Sequence, residues 1–387
     1  MVDKNLFVEL LQVSLGTREG ISRVPSVHEW ENIYEEAQRQ AIAGILLEGV
    51  QRLMVYGEGF MVNFPKDLML QWIGMTLQIE QRNALTTKVC GEVVGQMEKD
   101  GLRCCVLKGQ ANHRYYPEDM ANRRNCGDID IWASPNKFQV SSSKFQVRKV
   151  LEYVDAHWER TGLCWLHCNF TDKSGVPVEV HFHPSFFSRP KYNKRFQKHF
   201  SDIEQFVERT TIDGVEIPAM RVEEDVIYQM NHIYRHLIDE GVGLRQVIDY
   251  YYVLRQFHDS CLKVHGFGKL AVNRNIEYLG MKRFAGALMY VLRELLGMPE
   301  EYLLCAASEK DGKFLMEEIL LSGNFGHQDP RMGQVAKGSY LISRFSQACR
   351  RFKRNMRFIS SYPGEVIWEP IVRVEHFAWK KLGMWKW

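Results

Sequence analysis

Long hydrophobic runs are absent from this 387-residue sequence, and no apolar stretch approaches the roughly 20 residues that a membrane-spanning helix needs. The first residues lack the basic and apolar regions of a secretory signal peptide. The nine cysteines form no C-x-x-C pair, which predicts free thiols in a reducing cytoplasm. A strong net charge is also missing. The formal charge of +3 gives no global basic field that would attract nucleic acid.

Two common nucleotide-binding patterns are missing as well. The sequence contains neither G-x-x-x-x-G-K-[ST] nor G-x-G-x-x-G, so P-loop and Rossmann folds lose their main support. What is present is an ordinary globular composition, with 45% hydrophobic and 25% charged residues. The length predicts two or three subdomains. We expect an N-terminal helical region (1–98), an α+β core (99–221) and a C-terminal helical region with a basic-aromatic tail (222–387).

The two flanking regions show helical spacing of apolar residues. In the first, Ser26 and Glu29 form a candidate capping box at a helix start. A long helical segment follows at about residues 68–99, and a packing role is expected for it. In the last region, Gly297-Met298-Pro299 has the chemistry that ends a helix. Neither region shows a pattern of reactive residues, so we expect both to have a mainly structural role.

The central region changes to strand patterns. Residues 102–107 read as a buried strand, and a short helix is expected to open after it, at Gly109. Pro135 is expected to start a helix that runs to Tyr153. Residues 164–172 and 176–183 predict a β-hairpin, and a second hairpin is expected around Asp213-Gly214. The pattern indicates an α+β segment.

Acidic and apolar residues alternate strictly from Asp128 to Trp132, which places Asp128 and Asp130 on one face of a strand. Two carboxylates on one face repel each other unless a cation lies between them, and a hard divalent ion such as Mg²⁺ (or Mn²⁺) prefers oxygen ligands. The alternating segment around Glu179 supplies a third carboxylate if the two strands are neighbours. Three carboxylates can hold two ions, which bind a nucleotide's phosphates and activate an attacking hydroxyl. Before them, Lys108 and Gly109 offer a phosphate contact and close backbone approach at a helix start.

The chain resembles the polymerase-β-like nucleotidyltransferase superfamily in the order of three features. These are a glycine turn, then Asp-x-Asp on one strand, then a later acidic residue on another strand. More narrowly, the chain resembles the bacterial family called uncharacterised nucleotidyltransferases. Five segments carry this resemblance: L-K-G, Y-Y, R-x-x-x-D-I-D-I, V-E-V-H and L-R-Q-V-I-D. The matching residues are Leu107, Lys108, Gly109, Tyr115, Tyr116, Arg124, Asp128, Asp130, Glu179, His181, Arg245 and Asp249. The resemblance covers most of residues 30–260.

The resemblance implies an α+β nucleotidyltransferase core, with a small mixed β-sheet and helical flanks. It also implies Mg²⁺-dependent transfer of a nucleoside monophosphate from an NTP to a hydroxyl-bearing acceptor. Asp128 and Asp130 would bind the metal, and Glu179 would complete the site and help activate the acceptor. We assign the remaining candidates to nucleotide binding (Lys108, Gly109, Gln110 and Arg124) and to the acceptor side (His181, His236 and Arg245).

Several alternatives remain open. Structural roles are the plainer interpretation of some candidates: Arg124 paired with the acidic strand, His181 as hydrogen-bonded scaffold, His236 in polar packing, and Arg245 in an ion pair with Asp249. Gln110 replaces the superfamily's usual serine or glycine, and the acidic pair lies unusually far from Gly109, which is compatible with a degenerate protein that binds nucleotide without turnover.

Three further hypotheses concern other partners. A zinc site would use Cys164, His167, Cys168, His181 and His183, although these residues do not all face one way in extended strands. Basic and aromatic residues in the tail, 350–358, are candidates for nucleic-acid binding. A toxin-like activity on tRNA or protein is also compatible with the resemblance, so the acceptor is left open among a small molecule, tRNA and protein.

Overall fold

A computed structural model of the chain describes residues 3–56, 59, 63–135, 143–263, 267–326, 329, 331 and 340–383. Its α-helices are α1 (Lys4–Leu15), α2 (Val27–Arg39), α3 (Ala43–Tyr56), α4 (Lys66–Lys99), α5 (Glu118–Ala121), α6 (Ser143–His157), α7 (Pro190–His199), α8 (Val222–Asp239), α9 (Leu244–Lys263), α10 (Phe267–Tyr278), α11 (Lys282–Leu296), α12 (Glu309–Ser322), α13 (Tyr340–Phe358) and α14 (Pro363–Lys381). Short 3₁₀ helices cover Gly109–Tyr115, Ile203–Gln205, Glu300–Tyr302 and Asn324–Gly326. Of the helices described, none is long and apolar enough to cross a membrane.

The described strands form one seven-stranded mixed sheet in the order β3-β4-β5-β2-β1-β7-β6. They are β1 (Leu102–Val106), β2 (Ile129–Pro135), β3 (Arg160–Leu163), β4 (His167–Thr171), β5 (Pro177–His181), β6 (Val207–Ile212) and β7 (Val215–Met220). Strand β2 is antiparallel to β1 and parallel to β5, and β1 is parallel to β7. The predicted α+β class with helical flanks is therefore confirmed.

The chain divides into two compact units, each built from three separate segments. The first, the helical unit, contains Met1–Gln81, Tyr115–Asn125 and Ile233–Ser361; the second, the sheet unit, contains Arg82–Arg114, Cys126–His232 and Tyr362–Trp387. The division into three consecutive regions stays a prediction.

Packing within the helical unit follows the apolar faces of its helices. Helix α1 packs against α3 and α11, and α11 packs against α12. The fully buried Trp72 donates its indole N–H to the backbone oxygen of Ala43, 2.7 Å away. Since an unpaired buried indole nitrogen would cost free energy, this bond fixes α4 against the start of α3.

Within the sheet unit, one face of the sheet forms the core. Alternate residues of β2, namely Ile129, Ile131 and Ala133, are buried there with Val178 and Val180 of β5. The second half of α4 and helix α6 cover this face with residues such as Val93 and Val150. Because side chains alternate across a strand, the residues between these apolar positions point to the opposite face.

Two local predictions are confirmed. Ser26 and Glu29 form both hydrogen bonds of a capping box at the start of α2. Asp213 and Gly214 both have positive φ, 49° and 79°, in the tight turn between β6 and β7. Such a pair of positive φ values is the turn that a two-residue hairpin favours.

Pro135 corrects another prediction, because it ends a strand instead of beginning a helix. It pairs with Leu102 across β2 and β1, and its carbonyl accepts hydrogen bonds from the Arg103 guanidinium at 2.8 and 3.2 Å. Proline lacks an N–H, but it can close a strand where only its carbonyl is needed. Residues 136–142 lie outside the described part of the chain, and the helix itself begins at Ser143.

Candidate functional site

The face of the sheet opposite the core carries a cluster of polar side chains. In the parallel pair of β2 and β5, Asp130 lies beside Glu179, and in the antiparallel pair of β4 and β5, His167 lies beside His181. The alternation that buries Ile129 and Ile131 on the core face therefore turns Asp130 to the other side. The strand pairing, and not closeness in sequence, brings these groups together.

Asp130 lies at the centre of the cluster and is only 1% exposed. Its Oδ2 lies 2.9 Å from Nζ of Lys108, and its Oδ1 lies 3.0 Å from Nε2 of His181. Burial raises the pKa of Asp130, but the charge of Lys108 and the hydrogen bond from His181 lower it by more. The net pKa is below the ordinary value, so the buried carboxylate is ionised at neutral pH.

Glu179 is held from three sides. Its Oε2 lies 3.5 Å from Nε2 of His181 and 3.6 Å from Nε2 of His167, while Oε1 accepts a 3.0 Å hydrogen bond from Nδ2 of Asn169. Burial raises the pKa of Glu179, whereas the hydrogen bond to His181 and the charges of His167 and His181 lower it below its ordinary value. For His181, burial lowers the pKa, and its bonds to Asp130 and Glu179 raise it by more. The cluster thus holds two carboxylates and an imidazole in contact.

Lys108 supplies the cation that the acidic pattern requires. Burial lowers the pKa of Lys108, but the carboxylates of Asp130, Asp128 and Glu179 raise it above its ordinary value. The ammonium is therefore charged and fixed beside Asp130. Lys108 lies two residues after the end of β1, and its contact with Asp130 places its ammonium on the polar face of the sheet.

A divalent ion fits the donor set of this cluster. Asp130, Glu179 and His181 each offer a ligand atom, and these atoms lie within 4.8 Å of one another. Nδ1 of His181 is buried and has no hydrogen-bond partner among the described residues, which marks a polar network that the chain's own groups leave incomplete. Carboxylate oxygens and an imidazole nitrogen are ordinary ligands of divalent ions. The residues present therefore fit a bound cation.

Asp128 is not a member of that three-residue group. It is half-buried and lies one residue before β2, so the strand's hydrogen bonds do not fix it as they fix Asp130. Its charge nevertheless acts on both Lys108 and Glu179. The structure thus places Asp128 at the edge of the cluster and puts His181 beside Asp130 and Glu179.

The turn after Lys108 contains Gly109, which lies beside Asp128, and Gln110. Gly109 has φ of +62°, which a glycine adopts without strain, and it lies against the backbone oxygen of Asp128. Gln110 is fully buried, and neither its amide oxygen nor its amide nitrogen has a partner among the described residues. The predicted short helix is a 3₁₀ helix, Gly109–Tyr115. A buried amide without partners is a group that a ligand or water satisfies.

The other predicted site residues belong to the helical unit. Arg124 is buried and donates to both oxygens of Asp249, at 2.5 and 2.6 Å, and Arg245 donates to the backbone oxygen of Asn125 at 2.8 Å. His236, on α8, lies 3.5 Å from the carboxylate of Glu240, which directly follows that helix. The roles of Arg124 in nucleotide binding, and of His236 and Arg245 on the acceptor side, stay predictions.

Sequence reasoning overlooked Asn169 and weighed His167 only for zinc. The alternation in β4 could have revealed both, because His167 and Asn169 flank Cys168 and Phe170, which are buried in the core. The same alternation separates Cys168 from His167, so the five residues of the zinc hypothesis do not share a face of the sheet.

The basic tail is partly engaged in its own unit. Arg354 is buried, donates to the backbone oxygens of Leu237 and Glu240, and has a pKa that burial lowers to about 10. Arg357 lies 3.4 Å from Glu318. Arg354 is therefore committed to structure, and nucleic-acid binding by the segment 350–358 stays a prediction.

Comparison with known proteins places the chain in a family. A family model described as uncharacterised nucleotidyltransferase matches residues 26–297. No curated protein matches the chain. Among solved structures, an antigenic nucleotidyltransferase-like protein from Paracoccidioides brasiliensis is similar at 12% identity and a TM-score of 0.31, over 44% of this chain and 76% of that one. Since the family model spans more than half of the sequence, the chain belongs to the family of uncharacterised nucleotidyltransferases.

Proposed function

We propose that the protein transfers a nucleoside monophosphate from a nucleoside triphosphate to a hydroxyl-bearing acceptor, with Mg²⁺ or Mn²⁺ bound at Asp130, Glu179 and the adjacent Asp128. The observation that carries this proposal is the in-register pair of Asp130 and Glu179, ionised and mostly buried, on the polar face of the sheet. Membership of a nucleotidyltransferase family supports the reaction class. When bound, the divalent ion would neutralise the triphosphate and the attacking oxygen.

Four residues near the ion site are proposed to contact the substrates. Lys108 is a fixed cation that can contact a phosphate oxygen, and Gly109 has no side chain to prevent close backbone approach. Gln110 contributes a buried amide with no partner among the described groups, which a substrate can satisfy. Glu179 is half-buried, unlike the fully buried Asp130, and is suited to accept the acceptor's proton.

The proposed reaction is a single displacement at the α-phosphorus. The acceptor oxygen forms a bond to the α-phosphorus as the bond to the bridging oxygen of the β-phosphate breaks. Pyrophosphate leaves, and the hydroxyl proton passes to Glu179. The protein therefore needs charge placement and alignment more than a covalent intermediate.

Labelled transfer tests this proposal. Each of the four NTPs, carrying ³²P at the α-phosphate, is incubated with the full chain, Mg²⁺ or Mn²⁺, and a small-molecule, tRNA or protein fraction. We expect label on one acceptor class and matching pyrophosphate release. Asp130→Asn should abolish both, whereas Glu216→Gln, at an exposed carboxylate of β7, should retain them.

Two outcomes would overturn the enzyme proposal. If NTP binds without any label transfer or pyrophosphate release, the chain is a nucleotide-binding protein without turnover. If Asp130→Asn transfers label as fast as the wild type, the chemistry belongs to another site.

A further inference from the structure

We infer that His181 is itself a ligand of the cation, and that its nitrogen makes the site prefer a first-row transition ion to Mg²⁺. The inference rests on the proposed function for the presence of a cation at Asp130 and Glu179. It adds an imidazole of β5 to the carboxylates of the ion site as a further ligand. It also names the class of ion that the site selects.

The distances from His181 to the two carboxylates support its role as a ligand. Nε2 of His181 lies 3.0 Å from Oδ1 of Asp130 and 3.5 Å from Oε2 of Glu179. Ligands bound at ~2.1 Å to one ion are separated by roughly 3.0 Å in octahedral and 3.4 Å in tetrahedral geometry. Nε2 of His181 is thus already spaced from each carboxylate oxygen as a neighbouring ligand would be, and the three residues offer ligand atoms within 4.8 Å of one another. An ion can bind there after movement of the side chains alone.

The contact between Lys108 and Asp130 does not prevent Asp130 from binding an ion. Its Nζ lies against Oδ2 of Asp130, while Oδ1 faces His181. The carboxylate can therefore keep its bond to the lysine and still offer Oδ1 to a cation. The lysine need not be expelled when the ion binds, so it is available to a phosphate at the same time.

Burial fixes the imidazole in place. His181 is 3% exposed, lies on β5 between the paired strands β2 and β4, and stacks on the ring of His167 at 4.9 Å. A ligand fixed in this way needs little ordering on binding. Mg²⁺ demands oxygen ligands and releases its waters reluctantly, whereas imidazole suits transition ions. One nitrogen among the protein's ligands therefore penalises Mg²⁺ relative to the transition ions.

His167 is a matched control from the same cluster. Its Nε2 lies 3.6 Å from Oε2 of Glu179, and it is not a member of the Asp130, Glu179 and His181 group. Asn169 donates through Nδ2 to Glu179, so its Oδ1 is left to accept a hydrogen bond from the Nδ1–H of His167, 2.8 Å away. His167 thereby supports Glu179, and we expect no direct bond from His167 to the ion.

The experiment uses Mn²⁺ alone on the full, metal-free chain. Mn²⁺ binds most weakly of the transition series, so a preference for it over Mg²⁺ is a demanding test. Electron paramagnetic resonance titration gives the Mn²⁺ affinity, and competition gives that of Mg²⁺. We expect roughly tenfold or greater preference for Mn²⁺. Electron spin-echo modulation should show a directly bound nitrogen that changes when the histidines are labelled with ¹⁵N.

The variants assign the nitrogen to one residue. His181→Gln should lose the nitrogen modulation and most of the ion preference, while His167→Gln should keep both. If His181→Gln folds poorly, the nitrogen modulation of the wild type still tests whether a histidine binds the ion. Bound Mn²⁺ without histidine modulation would overturn the inference and leave the proposed function intact. Loss of the modulation in His167→Gln alone would also overturn it.

The two proposals fail in different ways. Mn²⁺ bound through His181 without label transfer from any NTP would refute the proposed function and support the ion site. If neither Mg²⁺ nor Mn²⁺ binds at millimolar concentration, both proposals are refuted.

Discussion

Arg124 and Asp249 form a buried ion pair in the helical unit, where each is less than 5% exposed. Two guanidinium nitrogens reach both carboxylate oxygens, and the Tyr116 hydroxyl donates to Oδ1 of Asp249 at 2.7 Å. Burial raises the pKa of Asp249, but the charge and hydrogen bonds of Arg124 lower it by more, so the net pKa is below its ordinary value. A folded pKa below the unfolded pKa means that Asp249 stabilises the fold above about pH 4. This stability is lost as the pH falls through the folded pKa.

Arg124→Met should lower the free energy of unfolding by about 3–5 kcal/mol at pH 7, because it leaves a buried carboxylate without its partner. In the variant, the Tyr116 hydroxyl and the charge of Arg245 still lower the pKa of Asp249, but the largest opposition to burial is gone. The folded pKa of Asp249 therefore rises, and the carboxyl takes up a proton at a higher pH than in the wild type. The difference from the wild type should therefore shrink as the pH falls from 7 towards 4. Urea unfolding at a series of pH values measures both effects.

Lys282→Met is the matched control, because Lys282 pairs with Glu277 at 2.9 Å in the same unit with both side chains well exposed. An exposed pair of this kind contributes about 0–1 kcal/mol. Equal unfolding free energies for Arg124→Met and Lys282→Met would contradict a structural role for the buried pair.

For single residues, the sequence predicts which face of a strand a side chain lies on better than it predicts contacts between distant residues. Asp130 and Glu179 were identified because period-two alternation fixes the face of each side chain. Spacing along the helix suggested an ion pair of Asp249 with Arg245, and the charge of Arg245 does lower the pKa of Asp249. Spacing gave no sign of Arg124, 125 residues away, which donates hydrogen bonds to both carboxylate oxygens. Local spacing reveals local pairs, but a contact across the fold depends on tertiary packing that no spacing encodes.

At the scale of elements, the turn from β1 into the 3₁₀ helix depends on Gly109. An alanine there would meet only ordinary contact, 3.4 Å from the backbone oxygen of Asp128, so the cost arises from its φ of +62°. Gly109→Ala should destabilise the protein by about 1–2 kcal/mol. Urea unfolding of the variant measures this change.

Gly95→Ala, in the same unit, should have the opposite effect. Gly95 lies within α4, is exposed, and has open space where a Cβ would lie. Alanine is favoured over glycine by about 1 kcal/mol inside a helix. Two alanine variants with shifts of the same sign would show that the turn conformation does not control stability at Gly109.

Elements with strong local signals were predicted well, such as the capping box of α2 and the Asp213-Gly214 hairpin. Strand β3 was missed because Arg160–Leu163 is short, partly exposed and without clear alternation. The sequence also suggested that the strands of Asp130 and Glu179 could be neighbours, but it could not supply the order β5-β2-β1-β7. That order arises from pairing between segments far apart in the chain, and local propensity carries no information on it.

At the scale of the whole molecule, each compact unit draws on three separate segments. Composition along the chain changes only once or twice, so it suggests consecutive regions and cannot reveal such interleaving. The formal charge of +3 gives no global basic field.

The most direct test of the cation and nucleotide site is the change in melting temperature on adding NTP. A ligand at 100 times its Kd stabilises the native state by ~2.7 kcal/mol, and each kcal/mol raises the melting temperature by about 2–4 °C for units of this size. With millimolar Mg²⁺ or Mn²⁺, at least one NTP should raise the melting temperature of the wild type and of Glu216→Gln by about 5–10 °C. Asp130→Asn, or the wild type in EDTA, should show no shift. No shift in the wild type with either ion, or an equal shift in Asp130→Asn, would contradict a cation-dependent nucleotide site at Asp130.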